Sequence, residues 1–412
     1  MNKLPAGWEI KKLKDICTIQ DGIHKTPKYT SKGIKFVSVE NINDLYNSNK
    51  FISEEDYNKM YKIKAKKNDI FMTRIGDIGT PAILNKDEKL AYYVTLCLFT
   101  NIDEEVFNKY LYYAIQSNYF KKELYYRTLH VAFPKKINLG DIGDCKFILP
   151  TLDEQKRIAS ALSKIDAYLE NTIKLIEEKE RFKRGIAKKL LTCKEGENIP
   201  EARFKGFEDE WEIVKLGDIC LINNKSLKEN TDKNYKFKYI DLTAVKKGII
   251  NFSNDYTTFE NAPISARRII NKNDIIMATV RPYLLGHAFI DFEAKDYICS
   301  KGFAVLTANS NIEMKYIYQY LYSDDMAKQI KSRLVGSTYP TIRLSDIKEL
   351  KIKIPKSIKE QEKIGGYLSL LDEEIDNLKK QKELIKEMKR GAMQKLLSGE
   401  VRLSKNAFNE NI

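Results

Sequence analysis

Histidine, tryptophan and paired cysteine are scarce in this 412-residue chain. Its 6 cysteines, Cys17, Cys97, Cys145, Cys193, Cys220 and Cys299, stand singly with no C-x-x-C pair. The 3 histidines, His24, His130 and His287, lie far from any cysteine. That spacing excludes a structural zinc site and reads as isolated, reduced thiols of a cytoplasmic protein. No run of about 18 apolar residues exists, which excludes a membrane-spanning helix. The opening Leu4-Pro5-Ala6-Gly7-Trp8 lacks the apolar stretch of a secretory signal. There is no Gly-Lys dipeptide, so no phosphate-binding loop, and no Asn/Asp-Pro-Pro-Tyr/Phe motif of an amino-methyltransferase. Gly76-Asp77-Ile78-Gly79 is a lone glycine pair and reads as a turn, not a nucleotide cradle. Asp69 and Asp274, each in Asn-Asp-Ile, read as turn residues leading into strands, because a nuclease carboxylate needs clustered partners. The expectation is no catalytic residue, no metal ligand and no cofactor held by this chain.

What is abundant is positive charge and internal repetition. Lys and Arg number 71 against 57 Asp and Glu, for a net +14, and 43% of residues are hydrophobic, enough for a sizeable core. An anionic partner, nucleic acid above all, suits that balance. The box Trp8-Glu9-Ile10 to Asp15-Ile16-Cys17 returns as Trp211-Glu212-Ile213 to Asp218-Ile219-Cys220. Lys67-Asn68-Asp69-Ile70 returns as Lys272-Asn273-Asp274-Ile275. Phe147-Ile148-Leu149-Pro150 returns as Ile352-Lys353-Ile354-Pro355, and Glu154-Gln155 and Lys183-Arg184-Gly185 return as Glu360-Gln361 and Lys389-Arg390-Gly391. The offset drifts by only a few residues, the mark of a single duplication in which short loops changed length. About 15 of 39 positions after Glu154 and Glu360 are identical, whereas the segments before them match only in patches. A shared scaffold carrying two different readers explains the contrast.

The conserved part reads as two long helices. Apolar residues fall at Ile158, Leu162, Ile165, Leu169, Ile173, Ile176, Phe182, Ile186 and Leu190, and again at Ile364, Leu368, Leu371, Ile375, Leu378, Ile385, Met388, Ala392 and Leu396. Steps of three and four make the narrow seam of a coiled coil. A 39-residue helix is about 58 Å long, too long for an ordinary globular helix. The order domain, helix, domain, helix favours antiparallel pairing of the two stripes, with one domain at each end of the rod; a helix folded only onto its own domain is the alternative. The helices hold +3 of the +14, so most of the excess sits on the globular halves. The expected organisation is a mixed α/β (α+β) chain: globular domain 1–150, helix 151–195, globular domain 196–356, helix 357–399 and tail 400–412.

These features resemble the DNA-specificity subunit of type I restriction-modification systems. They are Leu4-Pro5-x-Gly7-Trp8-Glu9, Phe204-x-Gly206-Phe207 with Trp211-Glu212 and Lys215-Leu216-Gly217-Asp218-Ile219, and the Pro150-x-x-x-x-Gln155-x-x-Ile158 and Pro355 to Gln361-x-x-Ile364 helix entries. The Lys-Arg-Gly boxes and the Lys189-Leu190-Leu191 and Lys395-Leu396-Leu397 closures complete them. The resemblance covers residues 4–404. It implies two target recognition domains, each reading one part of a split, asymmetric double-stranded DNA site, and two helices that space them and dock two methyltransferase subunits. Restriction subunits join that core. S-adenosylmethionine and adenine methylation belong to the methyltransferase subunits; this subunit does no chemistry.

Strand-like runs at 35–39, 70–73, 237–240 and 275–280 and Tyr-rich helical stretches at 110–119 and 316–322 give each domain its α/β character, the tyrosines serving as core. Arg74 and Arg281 follow the recurring strand near glycines, where a strand end presents a guanidinium to base or phosphate; a surface ion pair is the alternative. Two loops in equivalent places mix cations, hydroxyls and aromatics: 127–136, with Arg127, Lys135 and Lys136, and 333–343, with Arg333, Thr338, Tyr339 and Arg343. Tyr283 joins these as a DNA-contact candidate. On residues alone two other classes stay open, a free-standing DNA-modifying enzyme with an unrecognised site and a coiled-coil adaptor that never touches DNA.

Overall fold

In the computed structural model, which describes residues 4–309 and 311–404, the chain forms two compact units that cut across the sequence repeats. One unit takes the residues up to 173 together with those from 381; the other is 174–380. Both boundaries fall inside the long helices, Leu152–Leu191 and Ile358–Ser398, so each helix begins in one unit and ends in the other. The sequence-based partition at 150, 195, 356 and 399 follows the chain, whereas packing follows this exchange. Of the expected tail, Arg402 is bound into the first unit, and 405–412 lie outside the described residues.

The two units repeat one topology. In the first, Glu9–Lys12 pairs antiparallel with Lys146–Leu149, and an antiparallel sheet runs Thr18–Asp21, Leu96–Thr100, Ile70–Ile75, Asp77–Ile83. In the second, Glu212–Lys215 pairs with Lys351–Ile354, and Cys220–Ile222, Phe303–Ala308, Ile275–Ala278 and His287–Phe289 form the matching sheet. Asn68 and Asn273 take left-handed φ of 72° and 70°, and the carboxylates of Asp69 and Asp274 accept from the backbone N–H of Lys66 and Asn271. The Asn-Asp-Ile repeats are thus turns that aim the central strand.

The repeated motifs are joints. The Trp8 indole donates to Glu154 at 2.9 Å, and Trp211 donates to Glu360 at 3.4 Å. Arg402 reaches Glu154 at 2.7 Å, as Arg203 reaches Glu360 at 2.8 Å. The buried Gln155 amide accepts from the Phe107 N–H at 2.8 Å and donates to the Glu105 and Pro150 carbonyls, both at 2.9 Å. Gln361 does the same for Glu313 N–H and the Pro355 carbonyl. A buried amide with all three bonds made locks the helix start to its domain.

In the first unit's core, Ile158 and Leu162 from the start of one long helix share a cluster with Leu396 and Leu397 from the end of the other, beside Trp8 and Tyr110. The second unit mirrors this with Ile364, Leu368, Leu190 and Leu191 beside Trp211 and Tyr316. Both readings of the stripe therefore hold at once, pairing with the other helix and folding onto the domain. Polar contacts set an antiparallel register within each unit. Lys389 binds Asp166 at 2.6 Å in the first; Lys183 binds Asp372 at 2.5 Å and Lys179 binds Glu374 at 2.7 Å in the second. Lys183 and Lys389 are the lysines of the two Lys-Arg-Gly boxes.

Of the expected seam, Ile158, Leu162, Ile364, Leu368 and Ile375 are buried, while Ile165, Leu169 and Leu371 are half-buried. Farther along, the stripe departs from expectation. Ile173, Phe182 and Met388 are exposed and Thr172 is buried, whereas Ile176 and Ile385 are buried as the stripe expects. A straight helix drifts against a strict seven-residue repeat, which rotates Ile173 out and Thr172 in. Thr172 satisfies its hydroxyl by donating to the Tyr168 carbonyl at 2.8 Å. Gly365 is required by packing, since a Cβ there would lie 2.6 Å from the Tyr316 backbone nitrogen.

Gln155→Leu removes the side-chain partner of the Phe107 N–H and of the Glu105 and Pro150 carbonyls, the first two part-buried and the last buried. The expected loss is about 2–3 kcal/mol, read as a lower urea midpoint for the full chain.

Candidate nucleic-acid interface

In each unit a long loop before the closing strand is clipped to the end of the central strand. In the first, the Ile137 N–H donates to the Arg74 carbonyl at 3.1 Å and the Gly76 N–H to the Lys135 carbonyl at 2.8 Å. In the second, the Ile342 N–H donates to the Thr279 carbonyl at 2.9 Å and the Arg281 N–H to the Pro340 carbonyl at 2.7 Å. The bridges Ile75 to Lys136 and Val280 to Thr341 give the same match. This register corrects the sequence equivalence. Arg74 corresponds to Thr279, and Arg281 corresponds to Gly76, a left-handed glycine with φ 83°.

The two arginines consequently do different things. Arg74 is only 7% exposed; it donates to the Ile137 and Val94 carbonyls at 3.1 and 3.0 Å, with Asp21 at 3.4 Å as counter-charge. It therefore does not present its guanidinium to a ligand, and the sequence assignment of Arg74 as a contact is corrected. It holds the loop's base to the strand, and inward placement accompanies a register shift between Met72 and Arg74. Arg281 adopts a left-handed φ of 46°, a conformation that non-glycine residues take at some cost and that clusters at functional positions. Its guanidinium donates to the Thr338 carbonyl at 3.1 Å and lies 4.5 Å from the Tyr339 ring centre.

The remaining candidates gather around these clips. Lys135 and Lys136 are exposed on the first loop, and among the described residues neither has a salt bridge. Arg127 is half-buried and paired with Glu123 at 2.9 Å. On the second loop Arg333 is held by the Gln329 carbonyl at 2.9 Å, whereas Thr338, Tyr339 and Arg343 are exposed. Tyr283 is exposed in the turn after Arg281. Each unit thus displays cations, hydroxyls and aromatic rings on one ordered loop, the mixture suited to phosphate and base edges. The buried tyrosines Tyr110, Tyr113, Tyr316 and Tyr320 belong to the core. Tyr125 and Tyr126, at the end of the helix leading into the first loop, are exposed and lie outside the tyrosine stretches singled out in the sequence.

His287 opens the strand after the Arg281 turn with both ring nitrogens buried and unpartnered among the described residues. Burial pulls its pKa down to about 4, so it stays neutral at physiological pH and offers phosphate no charge. Among the described residues no three His, Cys, Asp or Glu side chains are grouped to share a metal ion.

A family model for the type I restriction modification DNA specificity domain matches this chain twice, at residues 5–178 and 208–387. The putative type I restriction enzyme MjaX specificity subunit of Methanocaldococcus jannaschii is 26% identical over 98% of this chain and 96% of its own length. The MjaVIII specificity subunit of the same organism is 27% identical over 64% of each chain. Among solved structures, the type I restriction-modification S subunit from M. genitalium superposes with a TM-score of 0.62 at 20% identity, covering 96% of this chain and 97% of its own.

Two predictions follow the geometry. Arg281→Ala and Arg343→Ala each weaken DNA binding by the assembled complex by about tenfold, measured by filter binding, with the thermal unfolding midpoint unchanged. For His287, the unfolded chain takes up a proton near pH 6.5 that the folded chain refuses until about pH 4. Stability therefore falls as pH drops through that window, by about 3 kcal/mol when complete. His287→Leu removes this component, and urea midpoints at pH 7 and pH 4.5 compared between the two proteins read it.

Proposed function

Because this chain belongs to the type I restriction-modification DNA specificity family and carries its domain twice, we propose that it reads a bipartite, asymmetric DNA site for a methyltransferase complex. The carrying observation is the pair of clipped loops. They occupy the same place in the two units, yet differ in nearly every side chain that faces outward. Identical readers would specify a symmetric site; unlike readers specify two different half-sites. The scaffold beneath them, with its Trp–Glu, Gln and Lys–Asp joints, is the part the duplication kept.

The chain assembles with other subunits of the system, and the long helices suit that role. Phe182 in one unit and its repeat counterpart Met388 in the other are exposed at corresponding positions. A pair of like apolar positions fits two copies of one partner, the methyltransferase subunit, which supplies S-adenosylmethionine and transfers the methyl group to adenine. Restriction subunits add to that core. The residues of this chain bind and orient DNA; they perform no covalent step.

Both helices run uninterrupted from one unit into the other, so they act as the spacer between the readers. Inserting four residues after Lys174, with four more after Lys380 to keep the partners in register, adds about 6 Å. The gap between half-sites should then grow by about two base pairs while the half-sites stay the same. Mapping methylated adenines in cells that carry the wild-type or lengthened chain with its methyltransferase tests both statements. A continuous or palindromic motif, or an unaltered gap, would refute this function.

A further inference from the structure

The first unit's loop has an apolar tip with no partner. Val131 and Phe133 are 99% and 103% exposed, as open as side chains in an extended peptide. Yet the loop is ordered at its base. The Leu129 N–H donates to the Lys136 carbonyl at 2.8 Å, Ala132 N–H to the Leu129 carbonyl at 3.3 Å, and the buried Arg74 guanidinium holds the adjoining Ile137 carbonyl. A valine and a phenylalanine held in water on a hydrogen-bonded neck gain no burial to offset the entropy of ordering the loop, which marks a surface used with a partner.

We propose that Val131 and Phe133 form a wedge that enters the DNA helix at the half-site read by the first unit and unstacks a base step there. This rests on the DNA-reading function above and adds how one half-site is deformed. The chemistry around the tip favours DNA over a protein groove. Lys135 and Lys136 are exposed and lack salt bridges among the described residues, placed to meet phosphates as the tip enters. Apolar side chains flanked by cations are the recurring means of prying apart a base step, and the bend brings more backbone to the protein. The second unit lacks an equivalent tip. Its loop carries Tyr339, which is 65% exposed but has one ring face stacked on the Arg281 guanidinium 4.5 Å away and ends in a hydroxyl, with the hydroxyls of Ser337 and Thr338 beside it. The deformation is therefore confined to one half of the site, and the energy of opening that step becomes part of its sequence preference.

The test uses the full chain assembled with its methyltransferase subunits and a duplex carrying the mapped site, with 2-aminopurine placed in turn at each position of both half-sites. The expected result, beside any rise at the methylated adenine of each half-site, is a rise in fluorescence on binding at one further step of a single half-site. Phe133→Ser and Val131→Ser together abolish the rise and raise the Kd about tenfold or more, as loss of an inserted ring does. Phe133→Leu keeps both. The side chains stand fully exposed among the described residues, so the thermal midpoint should not move; the wild-type fluorescence scan stands even if a variant misfolds. A scan flat outside the methylated adenines, a further rise in both half-sites, or a double variant with wild-type affinity overturns the wedge while leaving DNA reading intact. A variant that loses its methyltransferase subunits instead overturns it in favour of a protein contact. Failure of the wild-type complex to bind any duplex removes the DNA-reading function itself, and the wedge with it.

Discussion

An α-helix of about 40 residues with a narrow apolar stripe cannot stand alone in water, and everything in this chain depends on how two such helices satisfy each other. They run antiparallel, so the start of each meets the end of the other. The start of the first helix, around Ile158 and Leu162, is covered by Leu396 and Leu397; the start of the second, around Ile364 and Leu368, is covered by Leu190 and Leu191. Each unit is therefore completed by chain from both repeats. The charged pairs Lys389–Asp166 and Lys183–Asp372 are partly solvated and contribute little free energy, but a slip of one turn would separate every one of them. Their role is register.

This exchange explains why the two halves of the duplication changed at different rates. A residue such as Asp166 must suit Tyr113 of its own domain, which donates to it at 2.7 Å, and Lys389 from the other repeat. Its counterpart Asp372 serves Gln319 and Lys183 in the same way. A position answerable to two partners in different repeats is hard to alter alone. The outward side chains of the clipped loops make few contacts among the described residues, and there Val131 and Phe133 stand where the other copy has serine, threonine and a tyrosine stacked on Arg281.

What the sequence revealed follows the same division. The repeat, the helices, the strands and the turn asparagines were legible because each has a local signature: periodicity, β-branched runs, a left-handed Asn. The joints were visible as repeated Trp, Glu, Gln and Lys, but not as joints, since the partners lie from about 50 to about 250 residues away and no local pattern names them. The stripe was misread at Ile173, Phe182 and Met388, and helical drift brings Thr172 inward, which no count of apolar residues would choose. Arg74 failed for a related reason. Both arginines follow the repeated strand, but Arg74 stands five residues after Asp69 and Arg281 seven after Asp274, an offset of two that the backbone bonds to the loops repeat, with one side chain turned in and the other out. The spacing carries the register, while the burial of Arg74 against the Ile137 and Val94 carbonyls depends on pairing with distant chain that no local pattern reports.

The closing of the chain upon itself completes the argument. Glu154 receives Arg402 from beyond the end of the second helix, where Glu360 receives Arg203 from the segment between the first helix and the second domain. The residues after Ser398 thus do for the first domain what the inter-repeat linker does for the second, and the duplication is cyclic in its contacts although linear in its backbone. A cyclic arrangement has no privileged copy. Neither loop is better supported than the other, because each is carried by an equivalent strand end, an equivalent helix entry and an equivalent pair of closing leucines. Difference between the loops can then accumulate without penalty to the scaffold, and a chain that began as two identical readers is free to become two unlike ones. Asymmetry of the recognised site is the consequence of a symmetric support.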